Sequence, residues 1–479
     1  MQLIFEASRS GRRAIRFDAL DVPDASLPPE LCREEPAALP EVGELDVVRH
    51  FTRLSQRNLG VDSHFYPLGS CTMKYNPKMA EAVAADARFS GLHPHLATTP
   101  AYAGCCQGAL EIIFETEALL AEIAGMRHVS LQPIAGAHGE LTGVLLIAAY
   151  HRDKGNAKDT IIVPDSAHGT NPASAAIAGY KVVQVPSDAD GTIHIERFRE
   201  VLTDSVAGVM LTCPNTHGLF EPDVRRIAGL AHEVDALLYY DGANLNAILG
   251  QCRPGDLGFD VMHFNLHKTF ATPHGMGGPG AGPVGVGERL AAYLPGPRVV
   301  RNGDGFGLDT PSKSIGRVAP FFGNFMVALR AYAYIRQLGD AGLKAVARGA
   351  VLNANYVFAR LKEAYAAPFE CGIMHECVLS AARQAEQGVK AIDIAKALLD
   401  RGFHAPTVYF PLTVKEALMI EPTETESKET LDAFCDAMLE IAAIAGQDPQ
   451  ALHDAPTTTP VRRLDEVRAA RQLDCVCGC

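Results

Sequence analysis

The stretch Phe264-Asn265-Leu266-His267-Lys268-Thr269 is an apolar run that ends in a lysine and leads into small residues. Most lysines are solvated surface charges. A lysine at the end of a strand, just before glycines that let other backbone come close, can instead be desolvated. Its pKa then falls and the amine becomes a nucleophile toward a carbonyl. Upstream, LLYYDGANLNA sets Asp241 at the end of another apolar run. A carboxylate there either caps the following segment or pairs with a cationic ligand nitrogen. Taken alone, capping is the commoner outcome. Taken with a strand-end lysine one β-unit later, the pair matches what pyridoxal 5'-phosphate requires. Lysine forms the Schiff base and the acid keeps the pyridine nitrogen protonated.

Three further segments supply the rest of such a site. Ala135-Gly136-Ala137-His138-Gly139-Glu140 runs from a predicted strand into a predicted helix, so the N–H groups of Gly136, Ala137 and His138 face whatever lies at the helix N-terminus, and a phosphate fits there. A small-residue helix start also serves plain packing. Asp165-Ser166-Ala167-His168-Gly169-Thr170-Asn171-Pro172 is another strand end, where the His168 ring could stack on a flat cofactor. Thr212-Cys213-Pro214-Asn215-Thr216-His217-Gly218 brings a further hydroxyl, that of Thr216, to the same rim. With Ala243 beside Asp241 and His267 beside Lys268, these residues form the predicted cofactor-binding set; Lys268, Asp241 and His168 are the predicted catalytic residues.

The elements that must hold these residues follow from hydropathy. Candidate strands are 128–133, 160–164, 181–186, 208–212, 237–241 and 261–265; helical patterns fall at 139–152, 172–179, 195–202 and 224–234. Strict alternation predicts an α/β fold with a mostly parallel sheet covered on both faces, and ligands at the C-terminal ends of its strands. Residues 1–95, rich in proline, are expected to form an N-terminal arm. Residues 96–330 would be the large cofactor-binding domain, and 331–479 a smaller α+β domain with a C-terminal arm, reached through a long helix at about 324–365. The glycine-rich stretch 275–287 lacks the GK[ST] of a phosphate-binding loop and is expected to be a tight turn past the lysine.

The chain has 479 residues, enough for more than one core. Its 47% hydrophobic and 21% charged residues exclude wholesale disorder. The net charge of -13 argues against general binding to nucleic acid or anionic membrane. No apolar run is long enough to span a bilayer, and the N-terminal pattern is not a secretory signal; the expected compartment is the cytoplasm. The twelve cysteines do not form a disulfide framework and are expected to be reduced thiols. The tail Cys475-Val476-Cys477-Gly478-Cys479 is expected to be a disordered end rather than a metal site.

The motifs FYPLGSCTMKYNPK (65–78), QPIAGAHGELTG (132–143), DSAHGTNPA (165–173), NTHGLFEPD (215–223), DGANLNA (241–247) and NLHKTFATPHGMGGPGAGPVGV (265–286) resemble the glycine decarboxylase P-protein family of the glycine cleavage system. HAPTVYFPL (404–412), EPTETESKE (421–429) and TTPVRRLDEVRAAR (458–471) extend the resemblance along nearly the whole chain. At this length the sequence resembles subunit 2, the lysine-bearing half of the two-chain form.

The resemblance implies a fold-type-I pyridoxal-phosphate enzyme that decarboxylates glycine and transfers the aminomethyl group to the lipoyl arm of the H-protein. It also implies a separate subunit 1 and an α2β2 heterotetramer. An aminotransferase or a hydroxymethyltransferase would share the lysine, the aspartate and the phosphate loop, but neither is expected to carry SAHGTNPA and GSCTMKYNPK together. Arg317 and the segment Ser70 to Lys74 are candidates for holding the glycine carboxylate. Loop 298–317, with Arg298, Arg301, Lys313 and Arg317, is the candidate docking surface for the carrier.

Overall fold

The computed structural model describes residues 2–473 apart from 24, 36, 276–279 and 371, so the cysteine tail and part of the glycine-rich stretch lie outside the described residues. The chain divides into two compact units, one of residues 64–456 and one of residues 1–63 with 457–479. The first is built on a seven-stranded sheet of β1 (His128–Ser130), β2 (Thr160–Pro164), β3 (Lys181–Val185), β4 (Val206–Thr212), β5 (Leu237–Gly242), β6 (Val261–Phe264) and β7 (Val284–Val286). Their order across the sheet is β1-β7-β6-β5-β4-β2-β3. From β6 to β3 every pairing is parallel; β7 runs antiparallel to both β6 and β1.

Strands β2, β4, β5 and β6 are buried along their whole length, which is why each reads as an unbroken apolar run. Alternate residues go to opposite faces, as the period of two demands. Leu237 and Tyr239 join Val144, Ile147 and Val261 on one face, whereas Leu238 and Tyr240 join Ile227, Met262 and Phe264 on the other. Helices Gly136–Lys154, Thr170–Ile177, Ile195–Val201 and Val224–Glu233 connect the strands, matching the alternation in the sequence.

Two segments differ from expectation. The glycine-rich stretch holds strand β7, which its glycines concealed. Gly285 is there because an added Cβ would press on Met126, Met262 and Phe264. Segment 298–317, expected to be an open loop, begins with a hairpin of β8 (Arg298–Asn302) and β9 (Gly305–Asp309). The two glycines of Gly303-Asp304-Gly305 mark its turn, and Gly303 takes a positive φ of 59°.

Helix Phe325–Leu361 is interrupted at Gly339, whose φ of 59° and ψ of -170° are not helical. Its first half gives Val327, Ala328, Ala331 and Tyr334 to the core of the large sheet. Its second half gives Ala354, Val357, Phe358 and Leu361 to a second core. That core also takes helices Ala391–Leu399 and Lys428–Gln447 and a small antiparallel sheet, β10 (Cys377–Ser380), β12 (Ala417–Ile420) and β11 (Thr407–Val408), in that order. Phe65 is buried in this second core, and residues 64–95 belong to the same compact unit. Among the described residues no helix is long and apolar enough to cross a membrane.

Candidate active site

Strand register aligns the polar strand ends. Thr212 pairs with Asp241 and Asp241 with His263 across β4, β5 and β6, so one row of polar side chains crosses the C-terminal edge of three buried strands. Just past β6, the short helix Leu266–Thr269 presents Lys268. Lys268 and Asp241 line one cavity of about 190 Å³, together with Gly136, Ala137, Glu140, His168, Thr216, Ala243 and His267, and with Ser70, Thr170, Thr212, Asn244 and Asn265. Eight of the nine predicted site residues therefore meet at one place.

Lys268 Nζ donates to the carbonyl of Ser70 at 2.7 Å. The same segment holds the lysine turn a second time, since the buried Lys74 Nζ donates to Thr269 O at 2.9 Å and pairs with Glu424 at 2.8 Å. Ser70 thus reaches the cavity. Lys74 does not offer a free charge to a carboxylate.

Asp241 is 2% exposed, and three donors hold it: the Ala243 N–H to Oδ1 at 2.9 Å, and Asn171 Nδ2 at 3.2 Å and Thr212 Oγ1 at 3.3 Å to Oδ2. Burial alone would raise its pKa. The His263 imidazole, the Ala243 N–H, the Lys268 amine and Asn171 outweigh burial and hold it below the usual carboxylate range. Burial also pulls His263 below the ordinary imidazole range, so the fixed N–H donors and Lys268 carry the more secure part of this hold. Asp241 is an anion, as a partner for a protonated ring nitrogen must be.

Two predicted histidines are kept neutral. His267 is pushed down to about 3 by burial and by neighbouring His274, Lys268 and His263, and its Nδ1 accepts the Ala281 N–H. His168 is lowered mainly by burial, and its Nδ1 lies 2.8 Å from Thr170 Oγ1. That contact fixes the ring at the cavity mouth. A neutral imidazole suits flat contact with an electron-poor ring better than a cation would.

The residues fit a phosphorylated, ring-bearing cofactor. Helix Gly136–Lys154 starts without a side-chain cap, so its first N–H groups face the cavity. Asn265 Oδ1, also buried in the cavity wall, has no hydrogen-bond partner among the described residues. A Cβ on Gly136 would lie 2.4 Å from that oxygen, so only glycine leaves the cradle open.

Sequence reasoning missed Glu140, the fifth residue of this helix. It is 5% exposed, accepts from Thr170 Oγ1 at 2.9 Å, and is pushed up to about 8 by burial and by the Asp241 carboxylate. Its position one residue past the glycine-rich start was the available signal. Asn171 and Asn265, which stand inside two of the family motifs, were given no role in the site either.

His138 does not join the cavity. Its ring folds back so that Nδ1 accepts the Ile134 N–H at 3.2 Å, ahead of the helix, and leaves the first-turn N–H groups uncapped. It lines a separate surface cavity of about 860 Å³ with Arg317 and Lys313, and Arg317 does not line the Lys268 cavity. The basic groups of the docking loop have partners of their own. Arg298 is 16% exposed and pairs with Glu117 at 3.5 Å, Lys313 pairs with Asp153, and Arg301 lies over the rings of Phe114 and Phe306. Three of its four basic groups are engaged within the unit.

A family profile described as glycine cleavage system P-protein matches residues 15–310, well over half the chain, and one described as glycine dehydrogenase, C-terminal domain, matches residues 346–455. This chain belongs to the glycine cleavage system P-protein family. Relatives from Chlorobium chlorochromatii and Lysinibacillus sphaericus, both named glycine dehydrogenase (decarboxylating) subunit 2, are each 55% identical. The first alignment covers 99% of both chains; the second covers 98% of this chain and 97% of the relative.

Among solved structures, a glycine decarboxylase P-protein in inhibitor-bound form superposes with a TM-score of 0.72 at 25% identity, over 87% of this chain and 93% of that one. A cysteine desulfurase from Thermococcus onnurineus, 15% identical with a TM-score of 0.61 over 79% of this chain and 95% of its own, shares the fold. The architecture is therefore pyridoxal-phosphate fold type I, the cofactor is pyridoxal phosphate, and the activity is that of a glycine decarboxylase rather than an aminotransferase or hydroxymethyltransferase.

Proposed function

We propose that Lys268 binds pyridoxal phosphate covalently, and that this chain, together with a subunit 1 in an α2β2 assembly, releases CO2 from glycine and passes the aminomethyl group to the lipoyl arm of an H-protein. The observation that carries the reading is the single cavity joining a lysine, a buried aspartate anion and the uncapped start of a long helix. The bound cofactor supplies an electron sink for the pair of electrons left when the Cα–carboxylate bond breaks.

The chain's own residues prepare that step. Asp241, held by Ala243, Asn171 and Thr212, keeps a negative charge where a ring nitrogen needs its proton. Gly136 and Ala137 offer main-chain N–H groups to the phosphate, and Thr216, whose hydroxyl is tied to Ser166 O at 2.6 Å, closes the rim. His168 covers the ring face. Ser70 O receives the Lys268 amine whenever it is not bonded to the cofactor. In the transfer, carbon bonds to one lipoyl sulfur while the disulfide opens and the other sulfur takes a proton, so the electrons lost by carbon reduce the carrier.

The same reading keeps a large domain at 96–330, a small one at 331–479 and an arm at 1–95 whose residues 64–95 pack within the same compact unit as the cofactor site, and it puts the protein in the cytoplasm. The test is co-expression with a matching subunit 1, followed by exchange of the glycine carboxyl with labelled bicarbonate in the presence of lipoylated carrier. Full exchange by the purified chain without subunit 1 would overturn the two-chain reading. No exchange by the co-purified pair would overturn the assigned reaction.

A further inference from the structure

The segment Gly69-Ser70-Cys71-Thr72 lies against the small sheet in a conformation that its residue types disfavour. Ser70 has φ of 64° and Thr72 φ of 50°, left-handed backbone that costs any residue with a Cβ, most of all a β-branched one. Strain of this kind persists only where the surroundings impose it. Here the N–H of Ser70 donates to Glu376 Oε2 at 2.7 Å, the N–H of Thr72 donates to Glu421 Oε2 at 2.8 Å, and the Thr72 hydroxyl donates to Glu421 Oε1.

Both carboxyl groups are 0% exposed. They stand side by side because Cys377 pairs with Ile420 at the end of the antiparallel β10–β12 ladder, and each glutamate is the next residue outward. Burying two acids in a small sheet is costly unless donors meet them. The donors come from this loop and from Asn246 Nδ2, which reaches Glu421 Oε1 at 3.2 Å. Main-chain contacts to β12 fix the loop further, from Gly69 N to Met419 O and from Glu421 N to Pro67 O.

We propose that Glu376 and Glu421 are positioning residues for the reaction: by accepting the Ser70 and Thr72 N–H groups they hold the loop in its left-handed form and so fix the Ser70 carbonyl that receives the Lys268 amine. The inference rests on the reading that Lys268 carries the cofactor. A freed lysine amine must wait within reach of the carbonyl carbon it will attack again, and a fixed acceptor shortens its search. Burial and the Glu421 carboxylate drive Glu376 well above the usual carboxylate range, and glutamine keeps the side-chain oxygen that accepts the Ser70 N–H. Atoms of His375, Glu376 and Glu421 also lie within 4.8 Å of one another, a spacing a metal ion could bridge, but the loop donors already occupy the Glu421 oxygens.

The test uses the chain reconstituted with pyridoxal phosphate, trapped with borohydride over time and mapped by mass spectrometry, with turnover measured on the complex with subunit 1. In the wild type the label must fall on Lys268. A label elsewhere, or none, defeats the underlying reading instead of this one. Glu376→Ala and Glu421→Gln should still label Lys268, with the rate of adduct formation and kcat each lowered about tenfold and KM for glycine within about twofold.

Glu376→Gln should behave as wild type, a rescue that a general loss of packing would not give. If Glu421→Gln does not fold, the Glu376→Ala and Glu376→Gln pair decides alone. Wild-type rates in Glu376→Ala, equal impairment in Glu376→Ala and Glu376→Gln, or a stoichiometric metal ion that is lost in Glu421→Gln would each overturn the proposal.

Discussion

Replacing Lys268 by alanine should abolish both the visible absorbance of the lysine-bound cofactor and glycine decarboxylation, because among the described residues no other lysine lines the cavity. A borohydride-stable adduct in Lys268→Ala would place the covalent link elsewhere. Asp241→Asn should still bind cofactor through the helix start but lose the charge that keeps the ring nitrogen protonated. Its turnover should drop by several powers of ten, each worth about 1.4 kcal/mol of barrier, and near-normal turnover would reduce Asp241 to a helix-style cap. Both residues were legible in the sequence because each ends an apolar run at a strand terminus, where an α/β sheet puts its ligands. Glu376 and Glu421 were not legible. Their meaning comes from N–H groups of residues more than three hundred positions away in sequence, and no local pattern encodes that. His138 was misplaced for a local reason, since its ring turns back to the Ile134 N–H ahead of the helix and away from the cavity.

At the scale of elements, the parallel strands were legible to within a few residues because burial on both faces forces continuous apolar runs. Strand β7 and the β8–β9 hairpin were not, since both are built from glycine-rich sequence whose strand character comes from pairing partners rather than from propensity. The hairpin carries a prediction. Its first residue, Arg298, is the ionic partner of Glu117, a 7% exposed carboxyl on helix Gln107–Ala124. Burial raises Glu117 to about 7 although Arg298 and the Leu131 N–H both lower it. An acid raised from 4.5 in this way binds its proton more tightly folded than unfolded, so stability falls as pH climbs from 4.5 through about 7. Arg298→Ala removes a lowering influence and widens that gap. The variant should therefore lose more thermal stability at pH 8 than at pH 5, by about 1–3 kcal/mol at the higher pH. An equal loss at both would mean the arginine acts by packing alone, and a changed salt dependence of carrier-driven turnover without loss of stability would restore it as a docking charge.

At the scale of the whole molecule, the unit of residues 1–63 and 457–479 poses a packing problem that it does not solve by itself. Among its described residues only Val42 is a buried apolar side chain, whereas Phe17, Leu20, Leu31 and Leu39 are each more than 70% exposed. Helix Glu44–Ser55 shows the same thing in ordered form. Leu45, Val48 and Phe51, at a helical spacing of three, are each more than half exposed and make a bare apolar stripe. Apolar area is worth about 25 cal/mol for each Å² removed from water, so a stripe left bare forgoes several kcal/mol that a partner could recover. Contiguous exposed apolar surface of this sort marks an association site, and the partner that the proposed reaction requires is subunit 1. Val48→Glu with Phe51→Glu should accordingly weaken co-purification with subunit 1 by at least about tenfold in affinity, equivalent to about 1.4 kcal/mol. The borohydride-trapped label on Lys268 of the isolated chain should stay at its wild-type level, because the cavity is built entirely from residues 64–456. Raising the salt concentration should not mimic the double substitution, since screening acts on charges and not on apolar area. Undiminished co-purification of the double variant would assign the stripe to something other than subunit 1, and loss of the Lys268 label along with it would show that the arm helps to build the site.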